Sequence, residues 1–331
     1  MAITSISKEV LPCQESRAKG LNSQLALAYE TAYGLTPASP KGYNVPINQS
    51  KITISQNQIA STTIRGRRDQ VQPTIGNTDV SGSIVVPIDQ IGAGFWLRAM
   101  FGNPTTTGSG DPYTHVFKVT KSQPSLVLEQ QYPDIPAYEM FNGCKVNKFS
   151  FTYGGDTELT ATIDILGAKR TIGAAPFASP LTALSLLKFS NFQGTIEEGG
   201  SQLALVTEAS LNADFGLDGN TYTIGGNGYR TDLPEGILQV SGSIKALFKD
   251  TVLLNKAINN TESSLKFKFI NAAHSLQFFM EEVIFQQTSP GIESEKGIYI
   301  NLPFKAFYDS GTGGSALVTT LVKGYASYAT V

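Results

Sequence analysis

The chain has 331 residues, a formal net charge of −2 and only 16% charged side chains, against roughly 25% in an ordinary soluble domain. That balance excludes a protein that grips nucleic acid by neutralising phosphates, which takes a surplus of Lys and Arg. The length suffices for two domains of about 150 residues each, and the two distant cysteines, Cys13 and Cys144, fit neither a disulfide framework nor zinc-ligand spacing.

The N-terminal stretch MAITSISKEV pairs Lys8 with Glu9 and has no apolar run, so a secretory signal is not expected there and synthesis in the cytoplasm is. No stretch approaches 18 continuous apolar residues, which removes a transmembrane helix. Residues 1–45 read as an arm, with one apolar run at Leu25–Tyr29 and then Gly34, Pro37, Pro40 and Gly42 breaking any regular element. Ile52, Ile54 and Ile59 mark extended chain. The loop from Gly66 to Thr78 is longer than a tight hairpin needs. Arg65, Arg67, Arg68 and Asp69 in and beside it are candidate intersubunit contacts, arginines pairing with a neighbour's carboxylates; the plainer alternative is a solvated charge run.

The pentapeptide Val80-Ser81-Gly82-Ser83-Ile84 returns as Val240-Ser241-Gly242-Ser243-Ile244. Each copy is followed by an apolar-patterned helix opened by an aspartate, Asp89 before Ile91, Phe95, Trp96, Ala99 and Met100, and Asp250 before Leu253, Leu254, Ala257 and Ile258. A carboxylate there accepts the first free N–H groups of a helix. Ser125-Leu126-Val127-Leu128 and Ser264-Leu265-Lys266-Phe267 then open matching strands, with the spacing shortened by about twenty residues, as a longer loop at Asn103 to Asp111 in the first copy would produce. The pattern predicts a tandem duplication.

The clearest hairpin runs from Val146 to Leu166 around Gly154-Gly155-Asp156. Its alternation places Phe149, Phe151, Tyr153, Leu159, Ala161, Ile163 and Ile165 on one face and Lys148, Ser150, Thr152, Glu158, Thr160, Thr162 and Asp164 on the other. The second copy repeats this with Ile298, Ile300, Leu302 and Phe304 against Tyr299, Asn301 and Lys305. The small-residue stretch 171–184 reads as a linker between a first domain over 46–170 and a second over 185–331. A last strand, Ala316 to Tyr328, has the choice of pairing within its domain or with a partner.

Nothing in the sequence asks for an enzyme, a cofactor or a metal. Gly225, Gly226 and Gly228 lack the GK[ST] ending and following helix of a phosphate loop. His115 and His274 have no carboxylate or Cys at ligand spacing, and no nucleophile motif of the G-x-S-x-G kind occurs. Glu197 with Glu198 and Glu281 with Glu282 point to opposite faces of a strand, which hinders joint acid–base action.

Tyr29-Glu30-Thr31-Ala32-Tyr33-Gly34, Thr36-Pro37, Ser61-Thr62-Thr63-Ile64-Arg65 and Val80-Ser81-Gly82-Ser83-Ile84 leading into a helix together resemble the major tail tube proteins of tailed bacteriophages, most clearly over residues 25–102. The resemblance implies a mainly β chain of two tandem β-sandwich or barrel domains, each with one flanking α-helix. Its partners would be copies of itself, in trimeric pseudo-hexameric rings stacked into a tube, and other tail proteins, with DNA passing through unbound and no membrane involved. A wall that lets DNA slide needs few phosphate contacts. The candidate channel lining is therefore Lys148, Ser150, Thr152, Glu158, Thr160, Thr162 and Asp164, with Tyr299 and Asn301 from the second copy. The arm, the 66–78 loop and the last strand are the expected stacking elements. Another virion surface role (tail decoration, receptor contact or capsid decoration) and a carbohydrate-binding β-sandwich are the alternative readings.

Overall fold

The computed structural model describes residues 17–292, 295, 297–308, 314–323 and 325–328; Cys13 lies outside them. Half the chain is strand, and only two α-helices occur among the described residues. The first half of the chain contributes β1 (Gln24–Tyr29), β2 (Tyr43–Val45), β3 (Gln49–Ile59), β4 (Thr74–Pro87), α1 (Gly92–Phe101), β5 (Thr105–Thr107), β6 (Tyr113–Lys118), β7 (Leu126–Tyr132), β8 (Ala137–Gly154), β9 (Thr160–Gly167), β10 (Lys169–Gly173) and β11 (Thr182–Ala183). The second contributes β12 (Gly194–Glu198), β13 (Ser201–Gln202), β14 (Val206–Asp214), β15 (Gln239–Leu247), α2 (Val252–Ile258), β16 (Ser263–Asn271), β17 (His274–Phe285), β18 (Tyr299–Phe307) and β19 (Val318–Lys323).

The two halves pair their strands in the same way. β1 joins β2 and β7 as β12 joins β13 and β16. β8 joins β7, β9 and β10 as β17 joins β16, β18 and β19. β4 lies between β3 and β9 as β15 lies between β14 and β18. The repeated pentapeptide is the central strand of each set, and its glycine has a packing reason. A Cβ on Gly82 would lie 2.2 Å from the Lys51 carbonyl oxygen, and one on Gly242 2.1 Å from the Ser210 oxygen, so the neighbouring strand fits only against a bare Cα.

The helices start as the sequence indicates. The Asp89 carboxylate accepts the N–H groups of Ile91, Gly92 and Ala93 at 2.8–3.1 Å, and Asp250 accepts that of Val252 at 3.0 Å. Phe95, Trp96, Ala99 and Met100 are buried, but α2 is shorter and leaves Ile258 59% exposed. The insertion in the first copy folds as the hairpin β5–β6, and β6 pairs with β19 of the second half. The free thiol of Cys144 and the ring of His115 are both buried. The His115 ring accepts from the Thr106 hydroxyl and donates Nε2–H to the Tyr325 carbonyl, each at 2.8 Å, and burial holds it neutral by lowering its pKa.

Two segments depart from the sequence reading, and a third takes one of the two courses expected of it. The expected arm supplies β1, whose residues Leu25 to Tyr29 are all buried between β2 and β7, so 24–45 belongs to the first sheet. A five-residue run without polar partners on either face is a strand buried on both sides, which an amphipathicity search passes over. The expected linker begins inside β10, which pairs with β8, and 182–183 pairs with β2. The last strand pairs inside the chain, and Tyr328 behind it is fully buried, its hydroxyl donating to the Ile91 carbonyl at 3.0 Å.

Candidate functional site

β3, β4, β9, the C-terminal half of β8, β14, β15 and β18 run side by side in hydrogen-bonded order, so the inner strands of both halves make one continuous sheet. Their alternation sorts side chains cleanly. Toward the core lie Ile52, Val80, Ile84, Ile163, Phe149, Phe151, Leu211, Ala213, Val240, Ile244, Leu302 and Phe304, each below 7% exposure. The opposite face carries rows of small polar groups, because most of the intervening residues are Ser, Thr, Asn or a charge, with Tyr299 and Pro303 of β18 among the larger and apolar exceptions.

Across this face Thr162, Ser150, Asn212 and Ser241 stand in one cross-strand row, and Thr152, Ser210 and Ser243 in the next. Ser210 and Ser243 share a hydroxyl–hydroxyl bond at 3.0 Å. Of the residues expected on this face, Lys148, Ser150, Thr152, Thr160, Thr162 and Asp164 lie together on β8 and β9, and Tyr299 and Asn301 lie opposite Leu247 and Lys245 on the same side. Glu158 precedes β9 at the rim, where it binds Lys188 at 2.5 Å and the Asn48 amide at 2.8 Å. Alternation counted through Glu158 treated a loop residue as strand.

The sequence reading left out Ser81, Ser83, Ser241 and Ser243, although their alternation with Val and Ile in the repeated pentapeptide already marks a two-faced strand. It also left out Ser210 and Asn212, which reach this face only because β14 adds to β8.

That junction between the halves is built in detail. Over Glu208–Asp214 against Lys148–Gly154, Leu211 faces Phe151 and Ala213 faces Phe149 on the buried side. Burial of a side chain such as Leu211 contributes about 1.5–3 kcal/mol. On the polar side Lys148 stands between Asp164 on β9 and Asp214 on β14, with an ion pair to Asp214 at 3.0 Å. Burial raises the pKa of Asp164, with Lys148 opposing. For Asp214 burial is outweighed by hydrogen bonds from Lys148 and the Gly216 N–H, which lower it, and the Asp214 contact raises that of Lys148. The pair is about half exposed, so its energy is small, and its effect is that Lys148 is balanced by two carboxylates.

The sheet ends at open edges. Among the described residues β3 pairs only with β4, leaving its outer edge without a strand. β17 past Val283 has β18 on one side and no strand on the other. The loop between β3 and β4 spans 60–73, with Arg65, Arg67, Arg68 and Asp69 all exposed; Arg67 pairs within the loop to Asp69 at 2.6 Å.

Among the described residues no group of three or more His, Cys, Asp or Glu could hold a metal ion, and no helix is long and apolar enough to cross a membrane. A sequence profile of the family described as phage tail tube protein matches residues 20–306, spanning both halves. No curated protein matches the chain.

Proposed function

The chain belongs to the phage tail tube protein family, and from that premise we propose that three copies close into a ring whose bore is the hydroxyl-rich sheet face. It is a structural component of the virion tail, as its family implies. The observation that carries the ring reading is the junction of β8 with β14. It shows how one copy of the repeat adds its outer strand to the preceding copy; the chain repeats the donor strand as β3, and β17 repeats β8 as far as Phe285, the counterpart of Val146, so that residues 286–292 after it hold the place of the accepting segment.

The correspondence is residue by residue. Ile52 stands opposite Gly82 as Leu211 stands opposite Gly242, so β3 presents to a neighbour the edge that β14 presents to β8. Donor and acceptor lie at different ends of the chain. The contact is therefore heterologous, and it closes when the rotation per copy divides a full turn. A sixth of a turn per repeat gives three chains per ring, and backbone pairing between edges is the joining mode.

The face that such a ring turns inward suits passage of a polyanion. Ser and Thr offer hydrogen bonds to water, while Lys51, Lys148, Lys245 and Lys305 share the face with Asp164, Asp214 and Glu208. Each uncompensated phosphate contact would add salt-dependent affinity, and this arrangement keeps their number low. The exposed 60–73 loop, with Arg65 and Arg68, extends from one end of the β3–β4 hairpin, and in this reading it touches the next ring in a stack. The ring reading predicts a smallest closed species of three times the 35.5 kDa chain mass in native mass spectrometry; closed species of four or of six chains would overturn it.

A further inference from the structure

The junction within the chain includes a knob and a hole, and the second half of the chain has the hole without the knob. Directly after β14, Phe215 turns into the space between the end of α1 and β8. Its ring lies 5.8 Å from that of Phe101, its N–H donates to the Asn147 carbonyl at 2.8 Å, and it is 5% exposed. The corresponding space in the second half lies between the end of α2 and the open edge of β17. It is a groove of about 450 Å³ lined by Ala257, Ile258, Ile284, Phe285, Gln286 and Phe307. Ile258 on its wall is 59% exposed.

Resting on the ring reading above, we infer that this groove is the seat for the end of the next subunit's β3, with Ile59 as the side chain that enters it. Register supplies the segment, and apolar exposure the side chain. Asp214 faces Gln239 one residue before the repeated valine, as Ser55 faces Asp79, so the chain beyond Ser55 holds the place of Phe215. The residue in the matching position, Gln56, bonds through its side-chain amide to the Gly76 carbonyl at 3.2 Å. The next apolar residue along the strand is Ile59, 51% exposed, beside Ile75 at 73%. Two half-exposed isoleucines at opposite ends of one chain are the complementary halves of a heterologous contact.

The test substitutes each side separately. Ile258→Asp and Ile59→Asp are surface changes, so both proteins should keep the wild-type circular dichroism and melting temperature. Each alone is expected to raise the concentration needed for ring formation by about tenfold or more, which is about 1.4 kcal/mol per seat. An equimolar mixture should give dimers, since one intact groove meets one intact Ile59 and the other ends are blocked. If Ile258→Asp lowers the melting temperature, the uncharged Ile258→Gln is expected to show the same direction of assembly loss with an unchanged melt. Variants that assemble at the wild-type concentration would overturn the seat and leave the ring reading standing. A wild-type protein that never forms rings would overturn both.

Discussion

Replacing Gly242 with Ala is expected to lower stability by about 3 kcal/mol, the upper range for overpacking a filled site. The added methyl would meet the Ser210 carbonyl oxygen at 2.1 Å and the Phe304 ring at 2.6 Å. The first contact is backbone, so relief requires β14 to move away from β15 and weakens the ladder that carries the junction between the halves. Ser241→Ala, one position along and on the polar face, should change stability by less than about 0.5 kcal/mol. Urea unfolding of the two variants side by side is the measurement. Equal midpoints would show that β14 has slack and that the repeated glycine has no packing role.

Arg230→Ala is expected to cost about 2–6 kcal/mol. The guanidinium is 6% exposed and reaches from the second half of the sequence to the first. It donates to the Val80 carbonyl at 3.0 Å, the Gly167 carbonyl at 2.9 Å and the Gly219 carbonyl at 2.7 Å, and pairs with Asp79 at 2.5 Å. Val80 and Gly167 face each other across β4 and β9, so one side chain closes the end of that ladder. Removing it leaves two buried carbonyls without a donor, at about 1–3 kcal/mol each. Asp79, being 46% exposed, is rehydrated and adds little. Arg230→Lys should recover only part of the loss, because an ammonium cannot reach four acceptors laid out for a planar fork. Amide exchange of Val80, Gly167 and their neighbours, fast in the Ala variant and slow in the wild type, is the expected signature; unchanged exchange and an unchanged melt would contradict it.

The duplication, the two helices and the two-faced hairpin were legible in the sequence because each rests on a local signal: a repeated pentapeptide, an aspartate before an apolar stripe, and strict alternation around Gly154-Gly155. What escaped depends on partners far away in sequence. Leu25 to Tyr29 has no alternation to read, and only its place between β2 and β7 makes it a core strand. Arg230 carries no motif, and its role follows from acceptors 63 and 150 residues distant. Asn212 and Ser210 look like ordinary strand residues until β14 is laid against β8. The same holds for Asp214, whose pairing with Lys148 exists only once β14 is laid against β8.

The central claim is that the serine and threonine rows of both halves enclose one passage. A cryo-EM map of assembled tubes tests it most directly. The account predicts three-fold rings with Thr152, Thr162, Ser210 and Ser243 pointing into the bore, and Phe149, Phe151 and Phe304 within the wall. A map in which that hydroxyl face lies on the outer surface, or in which only one half of each chain reaches the bore, would contradict it.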